Sequence, residues 1–213
     1  MKRDVDETKK KILEAVGTLL GKKGFQEIGI NSIAREAGIG KVLIYRYFGG
    51  LEELLKAYGQ QSNFWAKTEE LLNTEISELE DIDLIDIGTQ YLKSHLKEFR
   101  KRPTTQEIMR WELTQNNALT KELYNIRESL GIEFVHLLSE RFQKEVPNMD
   151  VPAIMGIIHA GISYLVLLSK NVNQYAGIDL HSEDGWGKIE NAIEAMIKII
   201  ISYYQTSNDS IKY

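Results

Sequence analysis

Apolar residues recur at three- and four-residue spacing along almost the whole chain, while no segment alternates apolar and polar positions long enough to read as a strand. The pattern predicts an all-α protein of about nine helices. The first covers 6–22, with Ile12, Val16, Leu19 and Leu20 on one face and Gly24 as its stop. Two short helices follow at 30–37 and 41–47. A longer one at 51–72 opens behind Gly49 and Gly50 with Glu52 and Glu53 in its first turn, where carboxylates suit the helix dipole. Further helices are predicted at 82–101, 105–115, 119–146, 152–170 and 185–205, with residues 171–187 as a loop. Thr104 and Glu107 have the spacing of a capping box, and Asp150 stands as N-cap before Pro152.

Two of these segments are more apolar than a single core face requires. Val151 to Ser169 runs 19 residues without a formal charge, which is the length of a membrane span. It contains Pro152, His159, Ser163 and the small residues Gly156, Ala160 and Gly161, and neither flank has a basic cluster or an aromatic belt. It therefore reads as a fully buried helix at a subunit interface, and no membrane partner is expected. In the last helix, residues from Ile189 to Tyr204 spread apolar side chains over about half the circumference. A second apolar face predicts an isologous four-helix homodimer interface built from 152–170 and 185–205, with Ile197 and Ile201 in its seam.

Composition narrows the chemistry. The 213 residues include no cysteine, which excludes a disulfide framework, a thiolate metal site and a cysteine nucleophile. Residues 1–11 are charged where a signal peptide needs an apolar stretch, so the expected location is cytoplasmic. His95, His136, His159 and His181 lack metal spacing, and there is no G-x-S-x-G, no phosphate loop and no H-E-x-x-H. No enzyme, metal or cofactor is expected. The net charge of −5 is unevenly spread: residues 1–48 hold ten Lys/Arg against six Asp/Glu (+4), which leaves 16 against 25 (−9) for 49–213. A basic head on an acidic body suggests a polyanion-binding module, with domains at 1–50 and 51–213.

The informative stretch is 30–48. Two helices crossing steeply need a small residue where their backbones approach and a residue tolerant of positive φ at the turn. Ala34 and Gly38 supply both. Ile33, Ala37, Ile39, Ile44 and Tyr47 then fall inside a helix-turn-helix, leaving Gly40, Lys41, Val42, Leu43, Tyr45 and Arg46 on the outer side of a helix whose N-terminal end enters a major groove. Tyr47 and Phe48 read as core.

Thr8 to Tyr58 resembles the N-terminal domain of the TetR family of one-component bacterial transcription regulators. The matching pieces are Ile12-Leu13 with Ala15, Gly24-Phe25, Ile33-Ala34, Ala37-Gly38, and Tyr45-Arg46-Tyr47-Phe48 followed by Leu54. A weaker likeness covers Arg102 to Leu123. The resemblance implies that the 40–46 helix reads double-stranded DNA at a palindromic operator, that the first two helices support it, and that the remaining helices bind an effector and dimerise. Arg35 joins the expected DNA-binding set. The chain departs from the family pattern in having Gly29 at the N-cap of the second helix, Leu51 where a Lys commonly opens the fourth, and Val42-Leu43 in place of a Gly-Thr pair, which changes what the helix can read.

The function this implies is a ligand-responsive transcription regulator, a repressor released from its operator by a small molecule. A helical DNA-binding protein with a protein partner and no small effector is the alternative. The candidate effector-facing residues are Trp65, Tyr91, Trp111, Glu112, Phe134, His159, Ser163 and Tyr164. Among them Glu112 is expected to pair with a base such as Arg127, because a buried carboxylate needs a partner, and His159 reads as a hydrogen-bonded core residue.

Overall fold

The computed structural model of the chain describes residues 2–24, 28–61, 64–74 and 76–209. Phe25, part of the motif at Gly24, lies outside them. Among the described residues the regular structure is helical apart from one short hairpin, and the chain forms two compact units, 1–65 with 104–128 and 66–103 with 129–213.

The first unit contains α1 (Lys2–Lys23), α2 (Ile30–Glu36), α3 (Lys41–Phe48), α4 (Leu51–Gln61), α7 (Pro103–Thr114) and the first half of α8 (Ala118–Leu137). Ile12, Val16, Leu19 and Leu20 of α1 are buried as the pattern predicts, and they share a core with Ile33, Ile44 and Leu54. The α2–α3 turn rests on Gly38, whose φ of +67° is left-handed, a conformation costly for any residue with a Cβ. Gly38 N–H donates to the Arg35 carbonyl (3.2 Å) and Ile39 N–H to that of Ala34 (3.0 Å). This pairing closes the end of α2 as a Schellman motif.

Two predicted features differ here. The helix expected over 51–72 stops at Gln61 and restarts as α5 (Thr68–Leu72). Between them Phe64 and Trp65 turn into the core; the Phe64 ring lies 5.2 Å from Tyr58 and its carbonyl accepts the Thr105 hydroxyl at 2.6 Å. The Thr104 capping box does not form: Pro103 opens α7, which leaves Thr104 inside the helix, while Glu107 pairs with Arg110 at 3.2 Å.

The second unit contains α5, a 3₁₀ turn (Ile76–Asp81), α6 (Leu84–Arg100), the end of α8, α9 (Ser139–Glu145), α10 (Val151–Leu168), β1 (Gln174–Tyr175), β2 (Ile178–Asp179) and α11 (Glu183–Asp209). Asp83 and Asp150 cap α6 and α10 by accepting from the amides of Ile85 and Ala153, at 2.7 and 3.0 Å. The predicted 119–146 helix is interrupted at Leu138, so α8 and α9 are separate. Inside the expected loop, β1 and β2 pair antiparallel around Ala176 (φ +49°) and Gly177 (φ +80°). Positive φ at both central residues is the two-residue hairpin turn that matches strand twist.

α11 packs on α6 through Trp186, Ile189, Ile193, Ile197 and Ile201, and Ile197 comes close enough to Gly88 that a Cβ there would meet it at 3.2 Å. Arg100–Glu183 (2.7 Å), Lys97–Glu190 (3.4 Å) and Lys93–Glu194 flank this seam. Trp186 donates its indole N–H to the Leu180 carbonyl (2.8 Å) under the Arg100 guanidinium. Gly185 fixes how α11 begins, because a Cβ there would lie 1.8 Å from the Asp179 carbonyl oxygen. Backbone cannot retreat from such an overlap. Gly185→Ala is therefore expected to destabilise the second unit by several kcal/mol, on the order of a severe core substitution. Thermal unfolding followed by circular dichroism checks this, with Gly187→Ala, which meets nothing within 4 Å, as the control.

Candidate nucleic-acid interface

The eight residues of α3 fall into two classes. Ile44 is fully buried and Leu43, Tyr47 and Phe48 are half-buried, whereas Lys41, Val42, Tyr45 and Arg46 are exposed, as is the N-cap Gly40. Leu43 thus departs from its predicted outward place: its side chain turns partly into the head's own packing. Arg35 is exposed on α2.

Lys41 and Tyr45, one turn apart, share a surface concavity with Ile28, Gly29, Ile30, Asn31, Ser32 and Arg35. Gly29 is the extended N-cap of α2 and has no side chain to offer. Ser32 compensates from inside the helix, its hydroxyl accepting from the Gly29 N–H (3.0 Å) and donating to the Gly29 carbonyl (2.9 Å). A concave surface carrying Lys, Arg, Tyr, Ser and Asn donors has the chemistry that holds phosphate oxygens. Asn31 and Ser32, which line this concavity, were not singled out from the sequence; their one signal was proximity to the bare glycine cap.

The candidate effector residues fall into separate groups. In the first unit, Glu112 of α7 is bonded through Oε2 to Arg127 of α8, as expected. The Arg127 guanidinium lies 5.2 Å from the Trp65 ring and 5.5 Å from Tyr124. Glu112 Oε1 and the Trp65 indole N–H are buried without a hydrogen-bond partner, and Trp111 is buried on the same helix. In the second unit, Tyr91 stacks on Phe134 with centroids 3.8 Å apart and meets His159 edge-on at 5.7 Å. His95, absent from the prediction, lies 4.7 Å from His159. His159 Nδ1 is 2.9 Å from the Met155 carbonyl, the hydrogen-bonded arrangement expected for it. Burial pushes the Tyr91 phenol up to about 12, which keeps it neutral. Ser163 is buried. Tyr164 is not an inward residue: it is 54% exposed and its ring sits edge-on to Tyr175 of the hairpin.

Residues 12–58 match the family model of bacterial regulatory proteins of the tetR family. Solved structures with the same fold include the fatty acid degradation regulator FadR from Bacillus halodurans (17% identity, 89% of this chain and 94% of that one, TM-score 0.60). They also include the hemolysin II transcriptional regulator HlyIIR (20%, 94% and 98%, 0.55) and FadR from Bacillus subtilis in complex with stearoyl-CoA (18%, 88% and 96%, 0.57). At such identities the likeness establishes the fold. No curated protein matches the sequence. The head of the chain, residues 12–58, is thus similar to the tetR-family regulatory domain, and the whole chain shares the fold of these solved regulators.

The matched segment contains the whole α2–α3 turn, and the second unit has outward faces of unusual composition. α10 is long and apolar enough to cross a membrane by length and composition, yet only 28% of it is buried. Within the single chain, then, the helix expected to be fully buried at a subunit interface has one face covered and one uncovered. Val151, Ile158, Ile162 and Val166 face the core, while Ala153, Gly156, Ile157, Ala160, Gly161 and Tyr164 face outward, with Ile157 74% exposed. On α11 the outward stripe is Ala192, Met196, Ile199 (69% exposed) and Tyr203. Ile197 and Ile201, assigned to the seam from sequence, instead lie in the unit's own core.

Burial outweighs the ion pair with Arg127 and raises the Glu112 carboxyl above its ordinary value of 4.5. The folded chain then keeps this proton to higher pH than the unfolded chain does. Its contribution to stability is largest below the ordinary value and declines as pH rises through the raised one. Denaturant unfolding of wild type and Glu112→Gln across that range should show wild type losing ground to the variant as pH rises. Parallel curves would mean the carboxyl titrates normally.

Proposed function

We propose that the chain is a homodimeric repressor that holds a palindromic operator through Arg35, Gly40, Lys41, Val42, Tyr45 and Arg46 and lets go when a small molecule binds. Residues 1–50 serve as the reading domain and 51–213 as the effector-binding and dimerisation domain, acting in the cytoplasm with no cofactor and no catalytic step. The observation that carries this reading is the exposed row Lys41, Tyr45 and Arg46 on α3, set beside donors on α2. Phosphate contacts position such a helix and base-edge contacts give it a sequence.

The outward stripes of α10 and α11 support pairing of two copies. Small residues on α10 let helices approach closely, and an isologous four-helix seam would cover both stripes at once. Two recognition helices held roughly 34 Å apart would meet successive major grooves. An effector need only bind more tightly to a dimer whose heads are spaced otherwise. The Tyr91–Phe134–His159 cluster, with Ser163 and His95, supplies aromatic faces and imidazole nitrogens for such a ligand. Trp65, Trp111 and Glu112 supply a second group of contacts.

The reading is tested by selecting bound sites from random duplexes and then challenging the complex with a metabolite panel. Lys41→Ala and Arg46→Ala should each weaken a gel shift at least tenfold, and unchanged binding would sink the reading head. For the seam, Ile157→Glu with Ile199→Glu puts charges into an apolar interface at a cost of several kcal/mol if unpaired. Both residues are exposed in the single chain, so the expected product is a folded monomer by light scattering. A persistent dimer would place the seam elsewhere.

A further inference from the structure

α3 offers two different edges. Lys41 and Tyr45 are four residues apart and border the concavity with Asn31, Ser32 and Arg35. Val42 and Arg46 are also four apart, so they form a neighbouring ridge, and neither borders that concavity. Val42 is 70% exposed in the first turn. Leu43 beside it turns partly inward.

Resting on the reading of the head as DNA-binding, we propose that the two edges divide the work: Lys41 and Tyr45 grip backbone phosphate, while Val42 reads a thymine methyl and Arg46 a nearby guanine. The N-terminal end of a recognition helix is the part that reaches base edges, and Val42 stands there with only methyl groups to present. On the major-groove edge of the four base pairs the one apolar feature is the thymine C5 methyl, whereas guanine offers O6 and N7 to a guanidinium. A hydroxyl at this place could serve several bases; an isopropyl group serves one. Four residues of helix advance about 6 Å, close to two base-pair steps of roughly 3.4 Å. The guanine should therefore lie within about two base pairs of the thymine. The donors of the other edge suit phosphate, which carries charge and no sequence.

The test uses the full chain and a duplex selected from a random pool. Replacing thymine by uracil removes only the methyl. At one position per half-site, uracil is expected to weaken wild type about fourfold, the effect of one buried methyl-sized group. Val42→Ala should bind the thymine and uracil duplexes alike, whereas Leu43→Ala should keep the discrimination. Arg46→Ala should relax the preference for guanine nearby. Lys41→Ala should weaken all duplexes uniformly and reduce the salt slope by about one per subunit. Equal affinity of wild type for both duplexes at every position overturns the proposal, as does discrimination that survives Val42→Ala, or a base preference that changes with Lys41→Ala. Failure to bind any duplex is a different result, which overturns the DNA-binding reading and this division with it.

Discussion

The exposed row on α3 exists because the chain reverses at Gly38. A left-handed residue there lets the last carbonyls of α2 find donors within two residues, so the chain turns and α3 starts at Lys41. Ile33 and Ile44 are thereby brought into one core, fully buried from either side of the turn. Once Ile44 points inward, helical geometry leaves Lys41, Val42, Tyr45 and Arg46 outside. The Ser32 hydroxyl secures the other end of α2 against a glycine cap that cannot do so itself. Presentation of the exposed α3 residues thus follows from backbone satisfaction at the turn together with the core that α1 and α4 supply beneath it.

In the second unit the energetics lie in apolar burial. Ile189, Ile193, Ile197 and Ile201 each remove most of their surface from water against α6 and its neighbours, and full burial of such a side chain contributes about 1.5–3 kcal/mol. The flanking ion pairs involve exposed or half-exposed partners, where screening leaves little net stabilisation. They orient α11 more than they hold it. The same helix carries an apolar stripe that its own chain does not cover.

The helix-turn-helix could be read from the sequence because its determinants are local: a small residue, a glycine four positions on, and the buried positions that follow. Most helix spans were readable for the same reason. The break after Gln61 and the one at Leu138 were not, since neither the described residues Phe64 to Lys67 nor Leu138 is a glycine or proline. The hairpin escaped notice because two residues per strand are too few to show alternation. The division of α11 into inner and outer faces was beyond the pattern, because isoleucine occupies both and hydrophobicity does not say whose core a side chain joins. Tyr164 was misplaced on the same ground. Glu112 and Arg127 were paired correctly, since a carboxylate among apolar neighbours has few ways to be satisfied.

The three ion pairs between α6 and α11 run in opposite chain directions, 93, 97 and 100 against 194, 190 and 183, which makes the helices antiparallel and indexes one against the other. A slip of α11 by a single turn, about 5.4 Å, would mismatch all three pairs together and move Ile197 away from the gap that Gly88 leaves for it. Partial slips are worse, because they set isoleucine side chains against one another instead of into gaps. The seam therefore has one stop. α6 and α11 are therefore expected to shift together as one strut rather than to slide past each other.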